Sequence, residues 1–256
     1  MRRWLASMML TMWWACGLPG EARAATDYCV GSERAVLFLI DRTTAYDERD
    51  QEVLVGGMER FFRELGTGDR LLLCTIGASP ADSRRLFDRC VPGCPDEGFL
   101  GNLFSSCKAM VARADRQVFT RDLVTMLVDL LHDQQDHPAS AIIETIRSVA
   151  ASNRAGHPTR LVLFSDMLEN TELLTFEQLL RDGAGPALAR VEQAGMVPDL
   201  AGMEVDAFGL GRSHAKDRPA LSGEAMRTLT EFWEGLFAKA GAADSTIGPD
   251  YVEGTD

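Results

Sequence analysis

Lysine is almost missing from this chain. Only Lys108, Lys216 and Lys239 occur, and basic residues number 26 against 38 acidic ones. The resulting net charge of −12 has the wrong sign for a nucleic-acid binder. Glycine-rich phosphate loops are absent as well. Neither G-x-G-x-x-G nor G-x-x-x-x-G-K-[ST] occurs, which argues against a nucleotide cofactor. No serine sits in G-x-S-x-G, so a hydrolase elbow is missing. Histidine is scarce, at four residues. His132 and His137 are five apart and do not share a helix face as a zinc pair would. His157 and His214 fall in predicted loops with no clustered cysteine or acid, and no apolar run reaches the roughly 20 residues that span a bilayer.

The longest apolar stretch, Trp4 to Leu18, follows Arg2 and Arg3 and is broken by Pro19 and Gly20. With Ala22-Arg23-Ala24 behind it, residues 1–24 read as a cleaved export signal and the mature chain is expected to start at Ala25. Cys16 is the alternative, as a lipid-attachment site, although Trp13 fits that poorly. Export implies a periplasmic or secreted protein in which disulfides persist. Cys74 lies inside the apolar run 71–76 and reads as a buried free thiol. Cys29, Cys90, Cys94 and Cys107 are disulfide candidates, with three possible pairings. A zinc cluster is the competing use, but after Cys90-Val-Pro-Gly-Cys94 no second close pair follows.

The mature chain alternates strands and helices. Strands are predicted over 34–41, 69–76, 160–166 and 203–210. Helices are predicted over 48–65, around Val118 to Leu131, over 140–152, over 175–194 with a break at Gly183-Ala184-Gly185-Pro186, and from Pro219 onward. Residues 25–242 form one domain, with a cysteine-bearing insertion at about 77–107 that holds a short strand near Arg85-Leu86-Phe87. Residues 243–256 are expected to be a polar, mobile tail. The runs Ala35 to Ile40 and Leu161 to Phe164 are apolar without alternation, as in strands buried on both faces. The fold class is therefore α/β, a Rossmann-like open and mostly parallel sheet with helices on both faces. Trp233 and Phe237, one helical turn apart, are assigned to its core.

Both doubly buried strands end in oxygen donors: Asp41-Arg42-Thr43 and Ser165-Asp166. If the two strands are neighbours, Asp41, Thr43 and Asp166 converge at the carboxyl ends of the sheet, where such folds bind ligands. Carboxylates and a hydroxyl suit a hard cation. The order of elements and these residues resemble the von Willebrand factor A domain family from about residue 34 to 241. That family carries D-x-S-x-S after the first strand, a Thr before a central helix and an Asp after the fourth strand. On this resemblance Asp41 matches the first Asp, Thr43 the first Ser, Ser140 the loop Thr and Asp166 the last Asp. Ala45 stands where the second Ser belongs, and Thr44 or Asp47 are the nearby substitutes.

The resemblance implies a non-catalytic protein-binding module. Asp41, Thr43, Ser140 and Asp166 would hold Mg2+ (or Ca2+ or Mn2+), and an acidic side chain of a partner protein would complete the metal shell. Two other readings compete. In one, Asp41 and Asp166 only cap turns and helices, and the protein is a metal-free assembly component acting through the insertion. In the other, Asp41 is the nucleophile of a haloacid-dehalogenase-like phosphotransferase, which lacks a suitably placed lysine here.

Overall fold

The computed structural model describes residues 27–30, 34–94, 107–132, 137–211 and 221–253. Six strands form one sheet: β1 (Ala35–Asp41), β2 (Arg70–Ile76), β3 (Arg85–Cys90), β4 (Pro158–Phe164), β5 (Glu204–Phe208) and β6 (Asp244–Gly248). Their order is β3-β2-β1-β4-β5-β6. All pairings are parallel except β2 with β3 at one edge. Among the described residues six α-helices accompany them: α1 (Glu48–Glu64), α2 (Ala109–His132), α3 (Ile142–Asn153), α4 (Phe176–Asp182), α5 (Ala184–Gln193) and α6 (Gly223–Lys239). The expected α/β architecture is the one observed.

Two-residue alternation divides the core into two layers. Val36, Phe38 and Ile40 pack with Leu54, Met58 and Phe61 of α1 and with Phe119, Leu123 and Leu127 of α2. Leu37 and Leu39 face the other way, onto Ile142, Ile143 and Ile146 of α3 and Leu229, Trp233 and Phe237 of α6. Every residue of β1 is buried, which explains why its sequence is continuously apolar. Trp233 and Phe237 are fully inside. Gly57 of α1 lies where a Cβ would stand 2.5 Å from the Phe208 ring, so the helix crosses the sheet closely there.

The chain departs from expectation at its end. Instead of a mobile tail beyond Ala243, it adds β6 beside β5 and then buries Tyr251. The Tyr251 hydroxyl donates to Glu64 and accepts from Arg160, whose guanidinium also meets Asp206. The last helix starts at Gly223 under a Ser222 cap. Pro219, the expected start, lies outside the described residues, as do residues 1–24, expected to be an export signal, with Cys16, residues 95–106 of the expected insertion, and His214.

Disulfides join Cys29 to Cys90 and Cys94 to Cys107. They leave no thiolate among these four for zinc, and they are the mark of an oxidising compartment. Cys74 is the one free cysteine among the described residues, and burial pushes its thiol up to about 11. No helix among the described residues is long and apolar enough to cross a membrane.

Candidate functional site

β1 sends the chain to β2 on one side and pairs with β4 on the other, so the strand order reverses between β1 and β4. A crevice opens at the carboxyl ends of such a pair. Ile40 pairs with Phe164, and one residue further along the two strands Asp41 meets Ser165. The Ser165 hydroxyl donates to Asp41 Oδ2 over 2.7 Å.

Three loops are drawn onto that carboxylate. Asp41 Oδ1 accepts from the Thr43 amide (3.0 Å) and the Thr43 hydroxyl (2.7 Å). This closes the local turn that an Asp followed two residues later by Thr favours. Ser140, just ahead of α3, donates to Asp41 Oδ2 over 3.3 Å. Its loop is fixed by two backbone bonds with Asn170, and the next residue, Ala141, donates to the Gly77 carbonyl. The Thr43 carbonyl accepts from the His137 amide, which ties the first loop to the second. Asp41, Thr43, Ser140 and Ser165 are all buried.

The structure thus brings together three of the four residues picked from the sequence, around one carboxylate that accepts four hydrogen bonds. Asp166 follows Ser165 directly, is buried, and takes the Leu168 amide on its Oδ1 at 2.9 Å. It shares a neighbourhood with Asp41: the Tyr46 hydroxyl is driven well above its ordinary value by burial first, then by the charges of Asp41, Asp166 and Asp50. Asp47, a possible substitute ligand, is the N-cap of α1 and trades hydrogen bonds with Asp50.

Two contributors escaped the sequence reading. Ser165 is a strand-end oxygen donor in the sequence but is not among the expected ligands, and its place next to Asp41 follows once β1 and β4 are paired. Glu169 is buried and accepts from the Ile143 amide at the start of α3 (3.0 Å) and from the Thr171 hydroxyl (2.9 Å). Burial pushes its carboxyl up to about 7 against those hydrogen bonds. Between them lies Met167, fully buried with φ of 63°, a left-handed conformation that costs a side-chain-bearing residue roughly 1–2 kcal/mol. The buried Trp233 indole donates to its carbonyl over 2.8 Å, and the strained loop is held from beneath.

Among the described residues no three His, Cys, Asp or Glu side chains cluster as a metal site. The donor set is instead two carboxylates and three hydroxyls, all oxygen, and oxygen donors suit Mg2+, Ca2+ or Mn2+. A hydroxyl that donates to Asp41 keeps lone pairs for a further contact. Ser165 already spends one of its own on the Met167 amide (2.8 Å). Thr43 and Ser140 are therefore the hydroxyls best placed to meet a cation, with Asp41 orienting both. The residues present fit such an ion. No protein-family model and no curated protein matches the chain, so the functional reading rests on fold and geometry.

Proposed function

We propose that this chain is an exported, non-catalytic binding module of the von Willebrand factor A type, which captures a partner protein at the crevice between β1 and β4. One observation carries the reading: a buried Asp41 carboxylate gathers hydroxyls from three separate loops at the point where the strand order reverses. Thr43 and Ser140 would hold a divalent cation, with Asp166 beside them and Asp41 behind them. The cation would supply a positive centre for an acidic side chain of the partner. Both Asp41 oxygens are occupied by donors, which suits an orienting carboxylate better than a nucleophile that must attack phosphorus. Residues 1–24 would direct export, to the periplasm or beyond, and N-terminal sequencing of the mature protein should then begin at Ala25.

A second reading, the same fold without metal, draws on the same saturation: Asp41 has its four hydrogen bonds already and is stable as it stands. Calorimetric titration of the full chain with Mn2+ and Mg2+, alongside Asp41→Ala and Ser140→Ala, separates the two. Heat in the wild type that is lost in both variants is expected. No heat at millimolar ion, together with partner capture that is unchanged by EDTA, removes the metal and leaves the assembly role.

A further inference from the structure

Eight large hydrophobic side chains are exposed among the described residues, and four of them, Met110, Val118, Val124 and Val128, lie on α2. Met110 is 86 % exposed, Val124 52 % and Val128 45 %. The inner face of this helix is committed: Phe119, Leu123, Leu127 and Leu130 pack in the core layer beneath the sheet, and Ala112 is buried as well. The outer face therefore carries apolar surface that stays exposed among the described residues.

Its spacing is regular. Met110, Ala114, Gln117, Arg121, Val124 and Val128 follow one another at alternating intervals of four and three residues, the seam of a helix that packs along another helix. All six are exposed. The seam extends over about 27 Å at 1.5 Å per residue. Read from either end it has the same character: two apolar residues, two polar, two apolar. A second α2 laid antiparallel over it puts Met110 against Val128, Ala114 against Val124 and Gln117 against Arg121. The Gln117 amide oxygen can accept from the Arg121 guanidinium. Parallel pairing would instead set Arg121 on Arg121.

Charge supports the same partner. In a molecule of net charge −12 the seam contains no acid, and Arg113 and Arg116 lie on the same helix. Asp115 is engaged by Tyr28 and Asp122 by Arg89 and Arg121, and the third acid of the helix, Asp129, is exposed but outside the six seam positions. Two acidic molecules meet with least repulsion through such a face.

We propose that the outer face of α2 is a self-association surface, on which two copies of this chain pair through antiparallel α2 helices about a two-fold axis near Phe119. An isologous contact requires self-complementarity, and the seam has it. A single helix pair buries on the order of 1,000 Å², the low end of specific interfaces, so the dimer is reversible.

Sedimentation equilibrium of the full chain, from about 5 µM to about 1 mM, should show monomers giving way to dimers. Val124→Glu with Val128→Glu, both at exposed positions, should raise the dissociation constant at least about tenfold while leaving the melting curve in place. Register is read by oxidative crosslinking. Ala114→Cys protein mixed with Val124→Cys protein should give the mixed disulfide, identified by peptide mass, and Ala114→Cys alone should give little. A monomer throughout the concentration range overturns the proposal. So does association that survives the two glutamates, or Ala114→Cys crosslinking to itself.

Discussion

Replacing Glu169 by Gln tests the electrostatics beneath the site. The carboxyl is buried at the start of α3, with the Ile143 amide on one oxygen and the Thr171 hydroxyl on the other. Desolvation outweighs those bonds and lifts it from 4.5 to about 7. Well below pH 4.5 the folded and unfolded chains both carry the proton, and its ionisation contributes nothing to stability. Between pH 4.5 and about 7 only the folded chain keeps it, so each rise in pH favours unfolding. Above pH 7 the full cost of a buried charge is present. At about 1.4 kcal/mol per unit, the rise corresponds to about 3 kcal/mol.

Glutamine keeps the shape and one carbonyl for the helix amide, and its NH2 can donate to the Thr171 hydroxyl. Urea unfolding of wild type and Glu169→Gln in EDTA, at intervals from pH 4.5 to 8, isolates the group, because other titrations cancel in the difference. The variant should gain on the wild type as pH rises, by up to about 3 kcal/mol at pH 8. Parallel profiles for the two proteins would refute the reasoning. A variant weaker by the same amount at every pH would do so too, since that would mark a lost contact rather than a relieved charge.

Iodoacetamide at pH 8 should modify Cys74 at least about a hundredfold more slowly than an exposed cysteine, because a thiol raised from 9.0 to about 11 supplies that much less thiolate; labelling at the ordinary rate would place Cys74 at the surface. Tyr251→Ala should cost about 3–5 kcal/mol in thermal or urea unfolding, since the ring packs on Phe208 and Phe61, whereas Val252→Ala, 58 % exposed, should stay within about 0.5 kcal/mol. Peptide mapping without reduction should recover Cys29 linked to Cys90 and Cys94 linked to Cys107. Replacing the first pair by alanines should cost about 4 kcal/mol and the second about 3, because the first closes the longer loop.

What could be read from the chain follows how local each cause is. β1 and β4 stand out because strands covered on both faces must be apolar throughout, and Ala35 to Ile40 and Leu161 to Phe164 are. β6 escaped because Asp-Ser-Thr-Ile-Gly has no such run. It is a half-exposed edge strand, held by its ladder to β5 and by the Tyr251 anchor that follows. At the site, Asp41 with Thr43 is legible because the two meet across one turn. Ser165 acts through the register of β4 on β1, 124 residues away from Asp41. Glu169 is tied to the Ile143 amide in the first turn of a helix, 26 residues earlier in the chain. Neither distance leaves a local mark.

Ala45 stands where the von Willebrand factor A pattern has its second hydroxyl, yet three hydroxyls surround Asp41 here, because Ser165 reaches it from the end of β4. The exchange is unequal. Ser165 donates to Asp41 and accepts from Met167, so it stabilises the carboxylate more than it offers a ligand. On the proposed reading Thr43 and Ser140 would meet the cation, with Asp166 nearby and water for the remaining positions. Magnesium tolerates several waters, but each water that replaces a protein oxygen gives up some of the preorganisation that holds the ion. On the proposed reading, a carboxylate from the partner then carries a larger share of the coordination than it would at a site with five protein oxygens. Cation and partner would each bind weakly alone and strengthen one another by the same factor, as linkage requires.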